Sequence, residues 1–176
     1  MAAARRDVEI LQLSPEALHA LAAGDLEAAS RSTPLVLPAV FVAPDWIGTW
    51  RYRSTQVVED PASAAWITGA VRDTASGQVV GKAGFHGPPD ERGMVEVGYA
   101  VVPELRRRGY ARAALEVLLA RAAVEPGVTV VRASVRPDNT PSLGLVHQYG
   151  FVAVGEQWDE EDGLELVYEV PAGALG

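Results

Sequence analysis

Leu105-Arg106-Arg107-Arg108-Gly109-Tyr110-Ala111 lies between an apolar segment that stops at Pro103 and an alanine-rich segment with helical spacing. Three arginines and a glycine at a strand-to-helix turn make a place to hold a polyanion. N–H groups at a helix start are unpaired and point outward, and the helix dipole adds partial positive charge there. Gly109 lets the backbone come close to a phosphate, and the small Ala111 keeps the first helical turn from blocking it. The pattern Arg-x-x-Gly-x-Ala covers only six residues, so its place in the chain gives it its weight.

Around that turn the elements follow from spacing and punctuation. Met94 to Val102 reads as a strand, and Tyr110 to Val124 as the clearest helix, with Ala111, Ala114, Leu115, Leu118 and Ala122 on one face before Pro126-Gly127 ends it. Val128 to Val135 is apolar and β-branched apart from Arg132, which suits a central strand. Asp138-Asn139-Thr140-Pro141 opens a last helix that Gly150 terminates. Phe151 to Glu156 and Leu164 to Val170 then pair across an acidic turn.

Towards the N-terminus, Ala65 to Asp73 and Gln78 to His86 form a hairpin through Thr74-Ala75-Ser76-Gly77, and residues 87–93 form a loop. Val8 to Leu13 is a first strand. Ser14-Pro15-Glu16 caps a helix that runs to Gly24, and Asp25 starts a short second one. Thr33 to Pro44, with Pro34, Pro38 and Pro44, reads as a loop of the kind that covers a binding site. Asp45 is placed to cap a helix over Trp46 to Ser54. The order predicts an α/β (α+β) fold with a mixed, mostly antiparallel sheet and excludes a doubly wound parallel one.

The chain has 176 residues, 48% of them apolar and 22% charged, enough for one domain with a real core. Its net charge of −8 argues against non-specific nucleic-acid binding, which needs a basic face. The charge is uneven, with arginines at 106–108 and acids at Asp159, Glu160, Glu161 and Asp162. That pairing suits a local anion site in a protein made for cationic substrates, although an acidic surface also serves solubility. No cysteine is present, which excludes disulfides and thiol chemistry and fits a reducing, cytoplasmic setting. Met1 to Arg6 leads into no apolar run of the secretory kind, and no run of 18 apolar residues exists to span a membrane. His19, His86 and His147 are too scattered for a metal site.

Three blocks occur in order: Met94-Val95-Glu96-Val97-Gly98-Tyr99-Ala100-Val101-Val102-Pro103, then Arg106-x-x-Gly109-x-Ala111, then Asn139-Thr140-Pro141-Ser142 through Gly150-Phe151. With them the chain resembles the GNAT acetyltransferase superfamily, and within it the branch of ribosomal-protein N-terminal alanine and serine acetyltransferases. The resemblance implies a GNAT fold of about seven strands flanked by about four helices, with a splay between the fourth and fifth strands. It implies one N-acetyltransferase domain over residues 1–176, with an acetyl-CoA core at about 79–156 and acceptor-binding helices and loops at about 14–60. Acetyl-CoA is then the co-substrate. Arg106, Arg107, Arg108, Gly109, Tyr110 and Ala111 would hold its pyrophosphate, largely through backbone N–H groups. Val101 and Val102 would pair with the pantetheine arm, which Asn139 would hydrogen-bond, and Ser142 would lie near the sulfur.

Acyl transfer to an amine needs a neutral nucleophile, a polarised carbonyl and a proton for the departing thiolate. A strand N–H near Val101 could polarise the carbonyl. Glu96 is the candidate base, because a mid-strand carboxylate is costly unless paired or facing a cleft; Arg132 is its alternative partner. Ser142 is the candidate hydrogen-bond donor to the thiolate. Many superfamily members carry a tyrosine acid seven residues after the asparagine; Val146 stands there, and Tyr149 lies on another part of the helix. His86 and Trp158 are candidate acceptor-site residues, while Trp46, Trp50, Tyr52 and Trp66 suit core or cleft wall.

The expected activity is transfer of an acetyl group to a primary amine, on a protein N-terminus or a small molecule, in a ternary complex. An aminoglycoside or polyamine acetyltransferase is the alternative within that chemistry, and a non-catalytic acyl-CoA-binding sensor or scaffold is the alternative outside it. Expected partners are acetyl-CoA and the amine, with neither nucleic acid nor membrane; pairing of edge strands would allow a homodimer.

Overall fold

Strands Val8–Leu11 (β1), Gly69–Asp73 (β2), Val79–Phe85 (β3), Met94–Val101 (β4), Val130–Val135 (β5), Val152–Asp159 (β6) and Gly163–Pro171 (β7) form one sheet in the order β1-β2-β3-β4-β5-β7-β6. This computed structural model describes residues 4–174, so the expectation about Met1 to Arg6 lies partly outside the described residues. All neighbouring strands are antiparallel except β4 and β5, which run parallel. Among the described residues the sheet is flanked by five helices, Pro15–Ala22 (α1), Leu26–Arg31 (α2), Pro44–Glu59 (α3), Tyr110–Val124 (α4) and Thr140–Gln148 (α5). Among the described residues no helix is long and apolar enough to cross a membrane.

Alternation along the strands builds a core on each face of the sheet. On one face Val95, Val97 and Val131 pack against Leu115 and Leu118 of α4 and Val146 of α5. On the other, Ala70, Val79 and Val102 pack against Leu18 and Leu21 of α1 and Trp46 and Trp50 of α3. α4 starts and stops where its sequence predicts, with the left-handed Gly109 (φ 89°) before Tyr110.

Four local expectations change. The proline-rich stretch from Thr33 is core, not a cover: Leu35, Leu37 and Phe41 are buried, Ala39–Val42 is a short 3-10 helix, and the Phe41 carbonyl accepts from Trp50 Nε1 at 2.8 Å. α3 begins at Pro44 and runs to Glu59, because nothing breaks it before Pro61, and Asp45 lies in its first turn instead of capping it. β2 begins at Gly69 rather than Ala65, the preceding residues being a 3-10 helix over Pro61–Ala65. The β6–β7 ladder runs out to Asp159↔Gly163, so Gln157 and Trp158 belong to a strand, not to the acidic turn.

Candidate functional site

β4 and β5 are paired only at Met94↔Val130, Val95↔Val131 and Glu96↔Arg132. Beyond Glu96 they part, although β4 continues to Val101 and β5 to Val135. This is the splay expected of the fold. His86 N–H bonds the Glu96 carbonyl and Val102 N–H bonds the Val80 carbonyl, both towards β3. Antiparallel alternation therefore turns the backbone of Tyr99 and Val101 towards the opening. Val102 faces away with its N–H already used, so it offers no ladder to a ligand. The Val101 carbonyl accepts from Arg106 Nε at 3.3 Å.

At the end of β4 the chain turns through two left-handed residues, Arg107 (φ 63°) and Gly109 (φ 89°). No side chain caps α4, so the N–H groups of its first turn stay open at the positive end of a fifteen-residue helix. The chemistry suits a pyrophosphate. Two contacts fix the turn from behind: Arg6 Nε donates to the Arg108 carbonyl at 3.0 Å, and the Tyr110 hydroxyl donates to Asp73 Oδ2. The Tyr110 side chain is thus an anchor buried away from the opening, and the hydrogen bond to Asp73 raises its pKa while lowering that of the carboxyl. Ala111 follows it in the first turn of α4, partly buried against the core.

A cleft of about 840 Å³ opens at the splay, lined by β4, β5, α3 and the β6–β7 hairpin. Glu96 lies on its floor. Its Oε1 accepts from Ser134 Oγ at 2.5 Å, and its Oε2 is 3.6 Å from His86 Nδ1. Burial pushes the Glu96 pKa up, but His86, Ser134 and Arg132 together outweigh it and hold the carboxyl below its ordinary value. Arg132 is aligned with Glu96 yet gives its guanidinium to Glu169 at 2.7 and 2.9 Å, so it is not the ion-pair partner. Gly98 makes the imidazole's position possible: a Cβ there would come within 2.9 Å of His86 Nε2.

Across β4, the Tyr99 hydroxyl meets Ser142 Oγ at 2.8 Å, joining the splay to the first turn of α5. Burial raises the Tyr99 pKa, so the phenol keeps its proton well above neutrality. Asn139 caps α5 by accepting from Ser142 N, which leaves its NH₂ group to donate to a ligand. Val146 is fully buried in the core, and Tyr149 donates instead to Glu116 on the far side of α4, so neither supplies an acid here. Tyr99 is the group that sequence reasoning missed.

Trp158, 77% exposed, stands on the cleft rim together with Tyr52 and the acids 159–162. Lys82, which also lines the cleft, is buried over the rings of Trp46 and Trp50 and donates to Thr49 Oγ1. Burial brings its pKa down to about 8. Of the other histidines, His19 bonds Ser54 and His147 packs on Tyr168, both outside the cleft.

Residues 14–152 match the family model of the acetyltransferase (GNAT) domain, and the chain belongs to that family, whose members use acetyl-CoA. It is similar to an uncharacterised N-acetyltransferase, YjdG, of Bacillus subtilis, 36% identical over 75 residues, or 43% of this chain and 45% of that protein. The chain spans about half the length of the curated relatives it matches. Among solved structures it shares its fold with Mycobacterium smegmatis RimJ in complex with CoA-disulfide (TM-score 0.65, 19% identity, 96% of this chain and 83% of that one). A chimera of the Vibrio cholerae spermidine N-acetyltransferase SpeG and hSSAT has the same fold at a TM-score of 0.65 and 14% identity, covering 94% of this chain and 96% of that one.

Proposed function

We propose that this chain is an N-acetyltransferase that passes an acetyl group from acetyl-CoA directly to a cationic primary amine. One observation carries the reading: at the splay, Glu96 with His86 lies on one face of β4 and Tyr99 with Ser142 on the other. Such an arrangement places a proton acceptor and a proton donor on opposite sides of the reacting carbon. Acetyl-CoA supplies an activated thioester carbonyl. The turn at Arg106–Ala111 holds its pyrophosphate, Asn139 meets the pantetheine arm, and a free β4 N–H at Tyr99 or Val101 polarises the carbonyl. The amine reacts in its neutral form, its ammonium proton already lost to solvent, and Glu96 takes the second proton as the new C–N bond forms. Tyr99, steadied by Ser142, gives a proton to the sulfur as the C–S bond breaks.

The acceptor enters beside α3, between His86 and the rim formed by Trp158 and residues 159–162. Those acids favour a substrate with a second positive charge, and the aromatic faces of Tyr52 and Trp158 suit it as well. The test is thiol release from acetyl-CoA with spermidine, an aminoglycoside and peptides with basic or acidic residues after the first. Turnover with cationic acceptors, falling with ionic strength, is the expected result. Acetyl-CoA binding without turnover on any amine overturns it in favour of a non-catalytic acyl-CoA-binding domain.

A further inference from the structure

Two cleft residues have no part in the chemistry above, and both lie behind Glu96. Ser134, on β5, gives its hydroxyl proton to Glu96 Oε1 at 2.5 Å. Gln157, on β6, donates from Nε2 to Ser134 Oγ at 3.0 Å and to Glu165 Oε2 at 2.8 Å. An amide nitrogen only donates, and it has two hydrogens. With both committed, one of them to the Ser134 oxygen, the serine cannot point its own proton at Gln157, and Glu96 is the acceptor left in this chain of contacts. Glu165 sets the sense of the whole line, because a carboxylate accepts only the NH₂ side of the amide. Burial raises the pKa of Glu165 while that of Glu96 is lowered, so the two ends of the line are unlike.

We propose that Ser134 and Gln157 are positioning residues that orient the Glu96 carboxylate and keep it ionised, Gln157 acting through the direction it imposes on the Ser134 hydroxyl. This rests on the reading of Glu96 as the base. The line crosses four strands, β4, β5, β6 and β7, at the edge of the splay, where the backbone ladder between β4 and β5 ends at Glu96↔Arg132. It therefore replaces lost main-chain bonds with side-chain ones at the point where Glu96 must be held still. It also ties the base to the hairpin that carries the acidic rim, so that acceptor binding and base orientation share one element.

The experiment uses Ser134→Ala, Ser134→Thr and Gln157→Leu in the full chain, with two readouts. Carbon-13 NMR follows the titration of the Glu96 side-chain carboxyl, and steady-state kinetics separates kcat from the KM for acetyl-CoA. In Ser134→Ala the carboxyl titration moves up by about one pH unit, because a hydrogen bond to the charged form has gone. The value of kcat falls about tenfold or more while the KM for acetyl-CoA stays within about twofold. Gln157→Leu shifts both in the same sense by less, and Ser134→Thr, which keeps the hydroxyl, restores both. An unmoved titration in Ser134→Ala, or a loss of kcat that Ser134→Thr does not restore, overturns the proposal. If no amine is acetylated at all, the functional reading fails alone, and the titration still decides whether Ser134 and Gln157 hold Glu96.

Discussion

The Tyr110 hydroxyl donates to Asp73 Oδ2 at 2.5 Å, tying the first residue of α4 to the last residue of β2. Asp73 Oδ1 meanwhile accepts from the N–H groups of Ala75 and Ser76 in the β2–β3 turn. One buried carboxylate thus hangs the turn before α4 from a hairpin on the far side of β4. Tyr110→Phe leaves that oxygen unpaired, and a urea titration is expected to show a loss of about 1–2 kcal/mol. The Tyr110 bond is the main cause that lowers the Asp73 pKa. A depressed carboxyl stabilises the fold above the ordinary carboxylate range, and the gain is lost as pH falls through the native value. The acid-unfolding midpoint of Tyr110→Phe therefore moves to higher pH.

Glu96→Gln keeps the shape of the side chain and removes the proposed proton acceptor. Its kcat is expected to fall by about 10²- to 10⁴-fold, with the affinity for acetyl-CoA, measured by calorimetry, essentially unchanged. A variant that keeps full turnover would remove Glu96 from the chemistry.

Tyr99→Phe removes the phenolic proton and leaves Ser142 in place. A fall in kcat of about tenfold or more is expected with acetyl-CoA, shrinking for an activated thioester whose thiolate needs no proton. Ser142→Ala, which only loosens the phenol, costs less. Equal losses for the two thioesters would argue that Tyr99 packs α5 and does no more.

Lys82 gives a pH dependence of the same sign at higher pH, as a penalty and not a gain. Its native pKa of about 8 lies below its ordinary value, so the unfolded chain binds the extra proton between the two. The fold is therefore penalised progressively as pH falls from the ordinary lysine value to about 8, and the penalty is complete below that. Lys82→Met is expected to raise the melting temperature at pH 7, and the advantage over the parent should shrink towards pH 10. A difference that does not vary with pH would show that the ammonium is not penalised by its burial.

Much of the architecture was legible because it is written in local signals. Pro103, Gly109, Pro126-Gly127 and Gly150 punctuate the chain where elements end, and the spacing from Tyr110 to Val124 is that of a helix. Glu96 stood out because a carboxylate inside a strand needs a reason. Tyr99 did not, since an aromatic residue in a strand needs none, and its partner Ser142 is brought to it only when α5 docks, 43 residues on. Gln157 was hidden by the acids after it, which read as a turn although the ladder holds out to Asp159. The stretch from Thr33 misled in the other direction. Its prolines suggested a loop over solvent, while Leu35, Leu37 and Phe41 made it part of the core.

The parting of β4 and β5 has a thermodynamic side. A sheet that abandons its ladder after three paired positions leaves polar backbone facing a gap, free to pair with a ligand that lies along the edge. Binding to the native state alone stabilises it by RT ln(1 + [L]/Kd), about 2.7 kcal/mol at a hundredfold excess over Kd. If acetyl-CoA lies along this opening as proposed, the melting temperature of the protein becomes a gauge of how much of it is loaded.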